Sequence, residues 1–169
     1  SAVAVTAPTG VAAVNVDGVT LHSFSGIGLG NGTAEELVAR VRRSRGAVER
    51  WRATKVLLID EVSMLDGRLF DGISAVATAV RPGDADADVS GKLIMGGLQV
   101  IACGDFFQLP PVNVGGGRSS PSYAFEAAAW NALGMVTCEL TTPVRQAGDA
   151  ALVAALNELR LGRLSRVAR

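Results

Sequence analysis

The chain has 169 residues, 49% of them hydrophobic, with a mean hydropathy of +0.31; this suffices for one buried core and excludes an intrinsically disordered segment. Lys plus Arg number 16 and Asp plus Glu 16, for a formal net charge of zero, which excludes a histone-like or basic-tail nucleic-acid binder but not a local basic groove. Two cysteines, Cys103 and Cys138, lie far apart in apolar surroundings; they form no disulfide framework or zinc site and read as inert core thiols of a reducing, intracellular compartment.

Taken in chain order, short apolar runs alternate with longer helical periods, the pattern of an α/β fold with a mainly parallel sheet flanked by helices. Ala2 to Ala7 reads as a strand ending at Pro8-Thr9-Gly10, and Val11 to Val16 as a helix. Glycine at every second position from Gly26 to Gly32 predicts a mobile loop. Thr33 is placed to cap a helix with Glu35 and Glu36 in its first turn and Leu37, Val38 and Val41 on one face. Seven basic residues between Arg40 and Lys55 suit either DNA phosphates or an exposed helix face.

Lys55 to Ile59 is a buried strand ending in Asp60-Glu61, and Leu65 to Val80 a helix with Leu69, Ile73, Val76 and Val80 on its core face. Residues 81–97 read as a loop or insertion; Asp84, Asp86 and Asp88 within it lack the Gly and Glu a calcium loop requires. Leu98 to Cys103 is the next buried strand, and Phe106 to Val112 a loop stiffened by Pro110-Pro111. A flexible connection over Gly115 to Ser122 leads to a helix over Phe125 to Leu133 and a strand over Met135 to Leu140. Asp149 caps a last helix with Leu152, Val153, Leu156 and Leu159 as its core face and Gly162 beyond its end. No apolar run approaches the roughly 20 residues that span a bilayer, so no membrane partner is expected.

The polar residues gather at the strand ends, where parallel α/β sheets bind ligands. Val56-Leu57-Leu58-Ile59-Asp60-Glu61 has the Walker B pattern: a buried strand holds Asp60 rigidly for Mg²⁺, and Glu61 alternates to the other side, where it can deprotonate water. The alternative is a strand that simply ends in solvated acids. Gln108, in Gly104-Asp105-Phe106-Phe107-Gln108-Leu109-Pro110-Pro111-Val112, can sense a γ-phosphate without adding negative charge; a loop-capping glutamine is the bland reading. Small and hydroxyl residues from Thr6 to Gly26 let a nucleic-acid backbone approach, with Phe24 offering a face to a base. Equally, Phe24 is a core residue and His22 a structural histidine.

Five stretches together resemble one family: VAVTAPTGVAAVNVDGVTLHSFSGIGLG, VLLIDEVSMLD, GGLQVIACGDFFQLPPV, YAFEAAAW and ELTTPVRQAGDAALVAALNELRLG. They are similar to the motor core of the Pif-one-type DNA helicases, in the RecD-like branch of superfamily one. The resemblance implies a RecA-like P-loop NTPase domain, residues 1–169 being a partial motor domain, and ATP and Mg²⁺ as cofactors. Asp60 would serve the metal, Glu61 catalysis, and Gln108 the γ-phosphate; Arg145 would stabilise charge on the transferring phosphoryl group. Thr6, Thr9, Gly10, His22, Ser23 and Phe24 match the segment that grips single-stranded DNA, and Pro110 and Pro111 couple the two sites.

The implied activity is 5′-to-3′ translocation on single-stranded, forked or structured DNA in repair, recombination and telomere maintenance. The place is the nucleus or mitochondrion in a eukaryote, or the cytoplasm in a bacterium. No G-x-x-x-x-G-K-[ST] occurs, since Gly91-Lys92 is followed by Leu93. The family pattern puts that loop upstream of Ser1 and a second RecA-like domain downstream of Arg169, so the fragment alone is expected to be inactive. Two rivals stay open: a single-strand-binding module that has lost its motor, and a nucleotide switch indifferent to DNA.

Overall fold

The computed structural model of the chain describes residues 2–81, 93–111, 122–142, 144 and 148–163. It divides into two compact units, Ser1–Met135 and Val136–Arg169. The Asp84, Asp86 and Asp88 triplet, Gly91-Lys92 and Arg145 lie outside the described residues.

In the first unit the apolar runs become strands β1 (Val3–Ala7), β3 (Val56–Ile59) and β4 (Gln99–Ala102), with a two-residue strand β2 (Val19–Thr20). All neighbours are parallel, in the order β2-β1-β3-β4. Thr6 is level with Ile59 and Ile59 with Ala102, so the strands end together on one side. Among the described residues nothing pairs with the outer edge of β4.

Helices α1 (Gly10–Asn15) and α2 (Leu21–Ser25) start immediately after β1 and β2, each capped by the threonine before it, Thr9 and Thr20. Helix α3 (Ala34–Arg42) opens on the expected capping box: Thr33 accepts from the Glu36 amide and Glu36 from the Thr33 amide. The glycines before it adopt left-handed φ at positions 26, 28, 30 and 32, while Ile27 between them is fully buried. The loop expected to be mobile is therefore a series of turns pinned by an apolar side chain, and Arg40 donates to the Ile27 carbonyl at 2.8 Å.

Helix α4 (Arg45–Ala53) and helix α5 (Gly67–Val80) complete the layer over the sheet. Trp51, fully buried, anchors α4 and donates its indole N–H to the Ser25 carbonyl at 3.0 Å. The basic residues around it act mainly within the fold. Arg50 donates to the Ser23 and Phe24 carbonyls that end α2, Arg42 to Ala79 and Arg52 to Val80 at the end of α5. Those carbonyls have no partner inside their own helices, and a cation there also meets the negative end of the helix dipole.

The helix expected over Phe125 to Leu133 is broken. A 3₁₀ turn over Ala124–Glu126 is followed by extended Ala127 and then helix α6 (Ala128–Leu133). The break has a cause in α5, because Asp71 accepts from the amides of Ala128 and Ala129 at 3.3 and 2.8 Å and so starts a new helix. Trp130 and Phe106 reach this region from α6 and from the loop after β4, their rings 6.1 Å apart.

Three other expectations are corrected. Cys103 and Cys138 are exposed; Cys103 lies just beyond the edge strand, so the sheet cannot cover it. Residues 135–140 form no strand, with Val136 and Leu140 exposed, because strand-like composition needs a neighbour to supply the ladder. In the second unit helix α7 (Ala150–Arg160) has its Asp149 cap and a left-handed Gly162 as expected, yet none of its residues is buried. An apolar stripe decides which face can pack, not whether a partner is there. Among the described residues no helix is long and apolar enough to cross a membrane.

Candidate functional site

The common strand ends place the candidate residues along one edge of the sheet. Thr9 and Gly10 follow β1, His22 and Ser23 follow β2, Asp60 and Glu61 follow β3, and Gly104 to Gln108 follow β4. With strands about 4.8 Å apart in the order β2-β1-β3-β4, the edge has two halves. β3 and β4 carry the acids and Gln108; β1 and β2 carry the hydroxyls.

On the β3–β4 half, the Asp60 amide donates to the Thr6 carbonyl at 2.8 Å and the Val62 amide to the Cys103 carbonyl at 2.9 Å. Glu61, caught between those anchors, sits at φ 50° and ψ 43°, the left-handed region that costs a non-glycine residue about 1–2 kcal/mol. Its direction is thus set by a turn and not by continued strand alternation, as expected from sequence. Gly104 makes the turn possible, since a Cβ there would stand 2.9 Å from the Val62 amide nitrogen.

Beyond Gly104, Asp105 organises the loop. Its carboxylate accepts from the Phe107 amide at 3.1 Å and from the Gln108 side-chain amide at 3.2 Å, and its carbonyl accepts from the Gln108 amide at 2.9 Å. Gln108 is exposed and held over the loop by these bonds. Sequence reading gave Asp105 no role, although an Asp two residues before a loop amide is the signature of an Asx turn. Phe106 turns inward, edge-on to Phe125 at 4.8 Å, while Phe107 and Leu109 are both 67% exposed. Pro110 is exposed and Pro111 buried.

The other half separates into open and structural residues. Thr6 is fully buried and donates its hydroxyl to the Leu58 carbonyl at 2.7 Å, tying β1 to β3. Phe24 is 5% exposed and meets Trp51 edge-on at 4.8 Å, which leaves no ring face for a base and makes it a core residue. His22 is half-buried, and burial lowers its pKa from the usual value. Thr9 caps α1, accepting from the Ala12 amide at 3.2 Å. Gly10 and Ser23 are exposed, and a Cβ on Gly10 would touch nothing within 4 Å. Its small size answers no need of the chain's own packing.

Among the described residues no three His, Cys, Asp or Glu side chains converge. The donor set at the β3 end is one or two carboxylates, the number a Mg²⁺–nucleotide site takes, with phosphates and water filling the rest.

A family model described as PIF1-like helicase matches residues 1–163. This chain belongs to the PIF1-like helicase family. It is 47% identical over 163 residues to the ATP-dependent DNA helicase PIF1 of Emericella nidulans, covering 96% of the chain and 20% of that protein. The crystal structure of the Pif1 helicase from Candida albicans superposes with a TM-score of 0.85 at 43% identity, over 97% of this chain and 35% of that one. A Bacteroides Pif1 structure in complex with ADP-AlF3 and single-stranded DNA gives 0.78 at 33% identity, over 96% of this chain and 37% of that one. The four-stranded parallel sheet is therefore that of a Pif1 RecA-like domain. The chain spans about a fifth of the length of the curated relative.

Proposed function

We propose that this chain is the part of an ATP-dependent DNA helicase motor that carries the hydrolytic acid and one wall of the single-strand track. The whole protein would move 5′-to-3′ on single-stranded and forked DNA in genome maintenance, inside the cell. The observation that carries this reading is the pairing of β3 with β4, which sets the Asp60-Glu61 turn beside the Gly104–Gln108 loop through the Val62–Cys103 bond.

Asp60, on a strand anchored to β1 and β4, would hold Mg²⁺, which when bound neutralises charge on the nucleotide phosphates. Glu61 accepts the proton of the attacking water, its carboxylate aimed by the left-handed turn. Gln108 contributes a neutral amide to the γ-phosphate once it lets go of Asp105. Arg145, outside the described residues, would stabilise the transferring phosphoryl group. Thr9, Gly10, His22 and Ser23 line the DNA half of the edge, with Pro110 and Pro111 on the loop between nucleotide and strand. The bond from Asp60 to Thr6 joins the two halves across a single strand spacing. The second RecA-like domain of the same protein would close the cleft from the other side.

The test is the ATPase rate of the intact protein with and without single-stranded DNA. Strong stimulation is expected, and Glu61→Gln should cut turnover by about 10²–10⁴-fold while nucleotide binding persists. Turnover that ignores DNA, or survives in the variant, refutes the reading.

A further inference from the structure

Phe106 and Phe107 are adjacent and chemically alike, yet Phe107 is 67% exposed while Phe106 turns into the domain. There it meets three rings edge-on: Phe125 at 4.8 Å, and Tyr123 and Trp130 at 6.1 Å each. All three fall in the range over which aromatic pairs attract. Each partner is itself held. Trp130 packs against fully buried Phe70 of α5 with centroids 5.5 Å apart, and Tyr123 stacks on Phe125 at 5.1 Å. The backbone of Tyr123 bridges to Asp66, and the Gly67 amide donates to the Ser122 carbonyl at 3.0 Å. Gly67 permits that approach, since a Cβ there would stand 2.6 Å from the Tyr123 carbonyl oxygen. The rings are thus footed on the start of α5, on the stretch of chain that leads out of the Glu61 turn.

The Asp105–Gln108 turn is closed by the Gln108 amide donating to the Asp105 carbonyl at 2.9 Å and the Phe107 amide to the Asp105 carboxylate at 3.1 Å. These bonds shape the turn from within. Phe106, at its second position, ties the shaped turn to the body of the domain. We propose that Phe106 is a positioning residue: its ring, clasped by Phe125, Tyr123 and Trp130, sets where the Gln108 side chain stands relative to the Glu61 turn. This rests on the hydrolytic reading above. A neutral amide acts on a phosphate oxygen only within hydrogen-bond reach, and a displacement of about 1 Å can cost about 10²-fold in rate. Through the Asp66–Tyr123 bridge the acid and the glutamine take their places from one support.

The test is Phe106→Leu in the full-length protein, which keeps an apolar side chain and removes the ring, alone and combined with Gln108→Ala. Steady-state ATP hydrolysis is measured below the unfolding midpoint of every variant, beside hydrogen exchange of the backbone amides at 105–109. Phe106→Leu should lower kcat by about 10- to 100-fold and move KM less than about twofold. In Gln108→Ala, which lacks the amide being positioned, adding Phe106→Leu should lower kcat less than about twofold further. The loop amides should exchange about 2- to 10-fold faster, as the loss of one ring pair allows. Should Phe106→Leu not fold, Phe125→Leu, at a residue 41% exposed, removes the nearest ring and carries the same comparison. A kcat within about twofold of wild type, unchanged exchange, or a KM that rises as much as kcat falls overturns the proposal. So does the full kcat loss repeated in Gln108→Ala, which marks a merely structural role. An inert wild type would refute the hydrolytic reading instead, and the exchange rates, read without turnover, would still decide whether Phe106 holds the loop.

Discussion

Glu61 allows stability and chemistry to be separated at one position. Its φ of 50° and ψ of 43° are free for glycine but cost other residues about 1–2 kcal/mol. Glu61→Gly removes that strain, and the greater freedom of glycine in the unfolded chain returns about 0.5–1 kcal/mol. The net expectation is a gain of roughly 0 to 1.5 kcal/mol, equivalent to a midpoint rise of up to about 5 °C for a domain this size. Glu61→Gln keeps the strain and should unfold like the wild type. Both variants lose the carboxylate proposed to accept the proton of water, so both should cut ATP turnover in the intact protein by about 10²–10⁴-fold. Urea or thermal unfolding of the chain, with all three proteins compared, reads the first effect; steady-state hydrolysis reads the second. A Glu61→Gly variant less stable than Glu61→Gln by more than about 1 kcal/mol would refute the reasoning. It would mean that the Glu61 side chain contributes more to the fold than its backbone costs.

Two further outcomes follow from particular contacts. Asp71 caps α6 from α5 with both carboxylate oxygens, so Asp71→Ala should cost about 1–2 kcal/mol and Asp71→Asn less; equal stability of Asp71→Ala and wild type in urea would remove the cap. His22 is the single histidine of the chain, and burial lowers its pKa from 6.5. As pH falls through about 6.5 the unfolded chain takes up the proton first. Stability is therefore full above that value and declines below it, until the folded form also protonates. His22→Gln should flatten the unfolding midpoint between pH 7 and roughly 5, and an unchanged slope would assign the dependence to carboxylates.

The legible parts of this molecule were those encoded by short-range pattern. β1, β3 and β4 are parallel strands, which read as apolar runs, and their polar ends mark the candidate site before any contact is known. Thr33 and Asp149 announced their helices because a cap acts within three residues. What escaped depended on distant partners. Phe24 has the same local sequence whether it stacks a base or fills a core; Trp51, far along the chain, decides for the core. The break before α6 comes from Asp71, more than fifty residues earlier. The arginines of α3 and α4 carry the composition of a phosphate-binding face, and only their carbonyl partners on α2 and α5 reveal most of them as internal ties.

The outer edge of β4 is a place where this chain could meet another extended strand. Gln99–Ala102 presents β-branched Val100 and Ile101, with neither lysine nor proline to discourage a visitor, and among the described residues no strand covers its outward amides and carbonyls. Such an edge is a template for extended polypeptide. Its four residues can offer about two donors and two acceptors, too few to grip a single passing peptide firmly, but enough to align the same edge of a second copy. A charge placed at Ile101, which is 40% exposed, would oppose pairing of this edge with a second copy without touching the carboxyl end where the acids stand.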